Sequence, residues 1–321
     1  MTDTAAPRAT ASATKVRPFY WSVRRELWEH SAVYAAPLIV AGLLLFGFLI
    51  STYWLVHAVR AATAARRLVR TMDTGSVDAF AAATVAAVRT SAAVGMPYMF
   101  VAGLVFAVAT VVTLFYATGA LYGERRDRTI LFWKSLPVSD LTTVLAKVAV
   151  ALAVMPAVVF AIVFPTQLVM LIWSCLILIA NGVSPADLLG FLNFPYLWLA
   201  LGRGVFIMAL WYAPIACWLI LVSGWAKRVA FLWAIGPWVA ICLVEKLAFN
   251  SLNVFGFVMG RLAGGYMAAF TTDGRGGKEI SRLADLNPLP VLSNLELWAG
   301  LAVAAACVAA AVRLRRYRDP I

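Results

Sequence analysis

Charge is scarce in this chain of 321 residues: Asp, Glu, Lys and Arg together make up 13% of it, against 63% hydrophobic residues. A soluble domain carries about 25% charged residues, so the composition excludes that class. Histidine is nearly absent. His30 and His57 lie far from any cysteine or acidic cluster, so no metal site is predicted. The four cysteines lie within apolar runs and are expected to pack as small hydrophobic residues rather than to form disulfides.

Long apolar runs dominate instead, and the mean hydropathy is +0.86. Several runs reach the roughly 20 residues that a helix needs to cross about 30 Å of hydrocarbon. Strands of a membrane barrel would alternate apolar and polar residues over about ten positions, which these runs do not. The sequence therefore predicts an all-α polytopic membrane protein with six transmembrane helices. They are placed at residues 33–55, 97–121, 144–180, 203–224, 229–250 and 297–313.

The third run is ambiguous, because its 37 residues would form a rod of about 55 Å. It is either two spans with a turn at Pro165 or one long helix kinked at Pro156 and Pro165. The positive-inside rule places three basic segments in the cytoplasm: the turn with Lys227 and Arg228, the C-terminal run, and the N-terminal segment before the first span. An even number of spans must then precede Lys227. This makes 144–180 a single crossing and places both termini in the cytoplasm.

The first external loop runs against this topology, because it carries five arginines that the rule would place inside. They are Arg60, Arg66, Arg67, Arg70 and Arg89. The rule is a bias, and the six-span arrangement is kept. Residues 1–17, small and polar, are predicted to be a disordered cytoplasmic tail ahead of a single transmembrane domain at 18–321. Residues 251–296 are predicted to be an external segment whose first half suits a short re-entrant or surface helix.

Two further groups of polar residues border the spans. Tryptophan and charge just before the first span are typical of an interfacial helix on the cytoplasmic surface, with a simple aromatic anchor as the alternative. Near the outer ends of spans four and five, ionisable residues are candidates for a substrate path, although interfacial anchoring explains them as well. The interfacial residues are Trp21, Arg24, Arg25, Glu26 and Trp28, and the path candidates are Arg203, Glu245 and Lys246.

The most polar stretch, GERRDRTILFWKSLPVSD at 123–140, lies between the second and third spans. Bulky apolar side chains beside charges predict a short helix that ends near Pro137, after which Ser139 or Asp140 caps the third span. Such a helix suits the docking of a soluble partner; a charged turn facing lipid headgroups is the alternative. The candidate docking residues are Glu124, Arg125, Arg126, Asp127, Arg128, Thr129, Phe132, Trp133, Lys134, Ser135, Leu136, Pro137, Ser139 and Asp140.

The stretch GERRDRTILFWKSLPVSDLTTVLAKV resembles a segment of ATP-binding-cassette (ABC) transporter permeases of the type-two exporter family. That segment reads Glu-Arg, then Thr-Leu or Thr-Ile, then Ser-Leu-Pro-Val-Ser, with a Lys near the next helix. The chain departs from it at Arg128, where the family usually has Gly, so the winding of the turn before the docking helix stays open. The matching positions are Glu124, Arg125, Thr129, Ser135, Leu136, Pro137, Ser139 and Lys147.

The resemblance implies that 123–140 is a coupling helix seated in a cleft of a separate ATPase subunit, which would bind the ATP and Mg. It implies a permease that pairs with a second copy or a sibling permease in a bacterial inner membrane. Export is implied by the resemblance alone, and the apolar lining suits an amphipathic or lipid-like substrate. The net charge of +12 is expected to face the anionic lipid bilayer rather than nucleic acid.

Motifs for phosphate binding and hydrolysis are missing from the sequence. The nearest candidate, Gly277–Lys278, lacks the Gly five positions earlier and the following Ser or Thr. We therefore expect no enzymatic activity in this chain itself. A non-transporting membrane scaffold or sensor partner remains an alternative, as does a secondary transporter, although no inverted repeat or mid-span acid is visible.

Overall fold

The computed structural model describes residues 17–71, 77–129, 138–271 and 286–317, and within these ranges the chain is helical with no β-strand. Apart from one π-helical turn, Val150–Val154, the structure consists of α-helices joined by short turns. The helices are α1 Pro18–Glu29, α2 Ala32–Ile50, α3 Tyr53–Thr71, α4 Val77–Gly119, α5 Tyr122–Arg126, α6 Asp140–Ala149, α7 Met155–Ala180, α8 Pro185–Phe191, α9 Phe194–Trp225, α10 Ala230–Phe249, α11 Asn253–Phe270, α12 Leu289–Leu292 and α13 Leu295–Tyr317.

Six helical stretches are long and apolar enough to cross a membrane, which confirms the predicted all-α polytopic class. The α9 stretch is the most buried of them and forms the centre of the bundle. The helix expected before the first span is present as α1. The six stretches are Ala32–Ile50, Val77–Arg126, Asp140–Ala180, Pro185–Trp225, Ala230–Phe249 and Leu295–Tyr317.

The first crossing ends earlier than the sequence suggested. Helix α2 stops at Ile50, and a separate helix begins at Tyr53, inside the run placed at 33–55. Ser51 and Thr52 make the break, because their hydroxyls donate back to the carbonyls of the last turn of α2. Serine and threonine compete with the helical hydrogen bonds in this way, and hydropathy does not register it.

Helix α4 begins well before the second predicted span. Its 43 residues make it about 65 Å long, more than twice the thickness of the hydrocarbon. The first part of α4, residues 77–96, therefore lies before the stretch that was predicted as the second span, 97–121. Helix α3 covers part of this extension, with Leu55 and Val59 in one buried cluster with Val94. Helices α3 and α4 thus form a helical hairpin in the region that was predicted to be the first external loop.

Two arginines of this hairpin bind the ends of other helices. Arg60 donates to the carbonyl of Asn181, directly after α7, at 2.8 Å. Arg66 donates to the carbonyl of Gly190 near the end of α8 at 3.1 Å, and its guanidinium lies 3.8 Å from the ring centre of Phe191. The last carbonyls of a helix carry partial negative charge, which cations stabilise. Part of the excess of basic residues in this loop therefore has a structural role.

The third crossing is one continuous helical run from Asp140 to Ala180, without a turn at Pro165. Ser139 caps its start, where the hydroxyl accepts a hydrogen bond from the Thr142 amide at 3.1 Å. The π-helical turn at 150–154 ends two residues before Pro156. A π turn absorbs an irregularity without ending the helix, as expected where proline lacks its amide proton.

Helix α11, in the predicted external segment, packs closely on α9 through glycine. A Cβ atom at Gly265 would overlap the Tyr212 ring, whose hydroxyl donates to the Leu262 carbonyl at 2.6 Å. We expect Gly265→Val to separate the two helices at a cost of about 1–3 kcal/mol, because the core cannot absorb the extra volume. Hydrogen exchange over 253–270 should then be faster by roughly 5- to 160-fold. Gly256→Val on the same helix is the control, because no atom lies within 4 Å of a Cβ there; equal effects of the two changes would contradict the prediction.

Candidate functional site

Four buried charged residues from four separate helices meet at one end of the bundle. They are Glu26 of α1, Glu124 of α5, Lys147 of α6 and Arg315 of α13, and we call them the ionic cluster. Each is less than 8% exposed. Charged side chains are almost never buried to this extent unless they are paired. The cluster therefore holds the N-terminal helix, the charged stretch, the third span and the last span together.

Lys147 lies at the centre of the cluster. Its Nζ atom is 2.8 Å from Oε1 of Glu26 and 3.0 Å from Oε1 of Glu124, and its side chain is 1% exposed. A single ammonium group thus compensates two carboxylates. Removal of this lysine would leave both buried carboxylates short of compensating charge, which is costly because the desolvation cost of a buried charge is large.

Arg315 closes the other side of the cluster. Its Nη1 atom donates to Oε2 of Glu124, and its Nε atom donates to Oδ1 of Asp140 at 3.1 Å. A guanidinium that bridges two carboxylates fixes their relative positions, since its planar fork allows little adjustment. Arg315 therefore connects the end of α13 with both ends of the segment 123–140.

Further hydrogen bonds complete the charge balance around Glu26 and Glu124. Arg25 lies 2.8 Å from Oε1 of Glu26 and 3.3 Å from Oε1 of Glu124. Tyr116 of α4 donates to Oε2 of Glu26 at 3.0 Å. Counting Arg25, and Asp140 beside Arg315, three carboxylates face three cations, so the charges of this group nearly cancel.

The buried environment changes the acidity of Glu26. Burial by itself would raise the pKa of this carboxyl, but Lys147 and Arg25 outweigh it and lower the pKa from 4.5 to about 2. A lowered pKa means that the carboxylate stabilises the fold fully above about pH 4.5, and that this contribution is lost as the pH falls to about 2. We therefore expect the unfolding temperature in mild detergent to fall across this window. In Glu26→Gln the fall should be shallower, and identical slopes would contradict the prediction.

The predicted docking residues divide into a buried and an exposed set. Glu124 and Arg125 were expected to face a partner, but both are buried, so they are not available for direct contact. Arg125 instead donates to the carbonyls of Gly224 and Ala226 at 2.7 and 3.3 Å, which ties α5 to the end of α9. Five residues of the prediction are exposed, Asp140 is half-buried, and six lie outside the described residues. The exposed ones are Arg126, Asp127, Arg128, Thr129 and Ser139; those outside are Phe132, Trp133, Lys134, Ser135, Leu136 and Pro137.

Arg128 stands where the permease segment that this stretch resembles usually has glycine. Its φ of 56° is in the left-handed region that favours glycine. The chain therefore makes this turn in a glycine-like conformation with an arginine. A residue with a Cβ atom pays roughly 1–2 kcal/mol there. The exposed Arg126–Asp127 pair, at 2.8 Å, precedes the turn.

Helix α1 has two distinct faces. Trp21 and Trp28 are exposed, and the Arg24 guanidinium lies 5.2 and 4.6 Å from their ring centres. This face has the composition expected of an interfacial helix. Glu26, which the sequence grouped with these residues, points the other way into the ionic cluster, with Arg25 between the two faces.

Two of the three candidates for a substrate path, Glu245 and Arg203, contact α11. The Glu245 carboxylate accepts hydrogen bonds from Ser251 Oγ at 2.7 Å and from the amides of Asn253 and Val254, both at 2.8 Å. Arg203 donates to the Ala269 carbonyl near the last turn of α11. An anion at the start of a helix and a cation at its end both stabilise it. These two residues thus stabilise the two ends of α11, a role that neither the path nor the interfacial interpretation had predicted, and Lys246 is exposed.

An apolar groove of about 280 Å³ lies between α4, the π-helical turn, α7 and α9. Thr110 and Thr113 line it, and their hydroxyls already donate to backbone carbonyls one turn earlier. The Tyr212 hydroxyl likewise donates to a carbonyl of α11. The groove therefore offers a hydrocarbon-like wall rather than hydrogen-bonding groups.

Sequence reasoning missed the ionic cluster as a unit. Lys147 appeared only as a family match, Glu26 as part of an interfacial helix and Arg315 as one of several arginines in a basic tail. A lysine alone near the start of a long apolar run was the available signal, because such a residue needs a buried partner. Among the described residues, no group of three His, Cys, Asp or Glu is arranged to hold a metal ion.

Comparison with known proteins identifies no relative of this chain. No protein-family model matches the chain, and no curated protein or solved structure is significantly similar to it. The residues and the fold thus carry the functional argument, and the chain is shown by its six apolar helices to be a multi-pass membrane protein.

Proposed function

We propose that this chain is the membrane-spanning permease subunit of an ABC transporter that exports an amphipathic or lipid-like substrate. A separate ATPase subunit, which binds ATP and Mg, docks at the segment 123–140. The ionic cluster supports this proposal most strongly, because it joins that segment to the helices that would have to move. The permease works with a second copy or a sibling permease in a bacterial inner membrane, with both termini in the cytoplasm.

Transmission of force follows from the contacts of Glu124. The exposed residues Arg126 to Thr129 receive the push of the ATPase, and Glu124 lies two residues before them on the same segment. Its carboxylate contacts Lys147 at the start of the third span and Arg315 at the end of the last span. A displacement of α5 is therefore passed to α6 and α13 through charged contacts that are costly to break.

The apolar groove supports the substrate class. It is formed by the spans that follow and precede the charged segment, so a shift of α6 and α7 against α4 would change its width. Its hydroxyls are engaged, and a guest therefore gains by burying apolar area, about 0.8 kcal/mol for each CH₂ group. A chain-bearing amphiphile satisfies this condition.

Purification in mild detergent from the native host, with mass spectrometry of stoichiometric partners, tests the docking part. We expect an ABC-type ATPase that is retained by the unaltered protein and lost from the variant Arg126→Glu/Arg128→Glu. Arg67→Glu/Arg70→Glu is the matched control, since it makes the same charge reversal at exposed positions of the hairpin. If no ATPase is retained while the permease complex stays intact, a scaffold or a secondary transporter becomes the better assignment.

A further inference from the structure

A second concave feature lies beside the ionic cluster, between the first turn of α6 and the last turns of α13. It is a half-open cavity of about 380 Å³. Asp140, on its wall, precedes Lys147 by seven residues, so this part of the cavity lies about 10 Å from Lys147 along α6, while Arg315 belongs to both the cavity and the cluster. Its lining includes Val138, Asp140, Leu141, Val312, Arg315 and Arg316.

The cavity combines an apolar wall with a floor whose charge is already paired and a cationic rim. Leu141 is 51% exposed, although it is a large hydrophobic residue in the first turn of a helix. The floor is Arg315, which is held by Asp140 and is almost fully buried. The rim is Arg316, which is exposed. An occupant that suits all three needs an apolar side chain for Leu141 and a carboxylate for Arg316.

The charge of the surrounding surface favours an acidic occupant. Exposed cations at this end of the bundle outnumber exposed carboxylates among the described residues, and such an excess attracts and orients an acidic partner. The exposed cations are Arg17, Arg24, Arg126, Arg128, Lys227, Arg228, Arg313 and Arg316, and the exposed carboxylates are Glu29 and Asp127.

A lipid headgroup fits this position less well than a protein segment. The cavity shares Arg315 with the ionic cluster. A lipid phosphate would pair with Arg316 but would leave Leu141 uncovered, whereas a peptide segment covers both residues.

From these observations we infer that the cavity is a socket for an acidic side chain and its apolar neighbour from the partner ATPase. This inference rests on the proposed function and adds a second contact to the one at 123–140. Arg315 belongs to both the socket and the ionic cluster. An occupied socket therefore acts on α13 and α6, while the exposed charges after α5 act on α5, so that the ATPase holds the permease at two places.

Site-specific photo-cross-linking in the native host tests the socket. A photoreactive phenylalanine analogue is placed at Leu141 or Arg316 and, for comparison, at Arg126 or Arg128. We expect the ATPase to be captured from all four positions, and the peptide captured at 316 to contain Asp or Glu. Capture from 126 and 128 with only lipid at 141 and 316 would overturn the socket and leave the proposed function standing. Absence of an ATPase from all four positions would overturn both.

Charge reversal supplies the second test. Arg316→Glu should lower retention of the ATPase at least about tenfold, since a desolvated charge pair is worth 1.4 kcal/mol or more. Arg313→Glu is the control, because Arg313 is exposed on the same helix outside the cavity. Changing the captured acidic residue to Lys should restore binding to Arg316→Glu. Equal losses from the two variants, or no restoration, would overturn the socket.

Discussion

Replacing Lys147 by Met is expected to destabilise the folded chain by about 3–5 kcal/mol, the usual cost of removing one partner from a buried ion pair. Methionine fills nearly the same volume, so the loss reports charge rather than packing. Glu26 and Glu124 would both lose the ammonium group that lies within 3.0 Å of each. Equilibrium unfolding in mild detergent measures the change, and the fraction of protein that inserts and folds in cells should fall with it.

A second variant separates the charge effect from general damage to this site. In Lys147→Met/Glu26→Gln one positive and one negative charge are removed together, so less uncompensated charge remains buried. We expect the double variant to be more stable than the single one, although it carries one more substitution. If the two changes instead add to a larger loss, the lysine contributes through packing, and the electrostatic account of the cluster is wrong.

The second large effect is expected in transport, and it is measured on protein that has folded, because removing a buried charge also lowers the stability. Glu124 is buried and contacts Lys147 and Arg315, so Glu124→Gln should weaken the link between the docking segment and the spans. A hydrogen bond to a charged group is worth about 1.5–3 kcal/mol, which corresponds to roughly 10- to 150-fold in rate if the link is used in each cycle. We expect transport in proteoliposomes to fall by this factor, while ATPase binding changes less than about twofold.

Variants of the exposed turn at Arg128 should show the opposite effect, a loss of ATPase binding rather than of transport by the bound complex, and they serve as the comparison for Glu124→Gln. Arg128→Glu reverses a charge on the docking surface and should weaken ATPase binding without altering the stability of the permease. Arg128→Gly removes the same charge but suits the left-handed backbone at this position, with its φ of 56°. Its binding should lie between that of the unaltered protein and that of Arg128→Glu. If Glu124→Gln abolishes docking as completely as Arg128→Glu does, the division into a contact surface and a transmitting cluster fails.

Local features of the sequence were sufficient for the class of protein and for much of its layout. Apolar runs predicted the six crossings, because the length of a span follows directly from hydrocarbon thickness and helix rise. The helix before the first span and the serine cap of the third were visible in the same way. Helix ends were less accurate where hydroxyl groups or irregular turns decide them, as at Ser51 and Thr52 after the first crossing.

Which charged residues face inward was decided by the tertiary structure alone. Lys147 and Glu26 are 121 residues apart in the chain, and Arg315 and Glu124 are 191 apart. Hydropathy and motif spacing describe neighbours in sequence, so they grouped Glu124 with the exposed docking residues and Glu26 with an interfacial helix. The sequence by itself determined that this is a six-span membrane protein with one charged segment, since those properties depend on local composition. The pairing of its buried charges depends on how the helices pack, because a charge can be buried only where another helix brings its partner within a few ångströms.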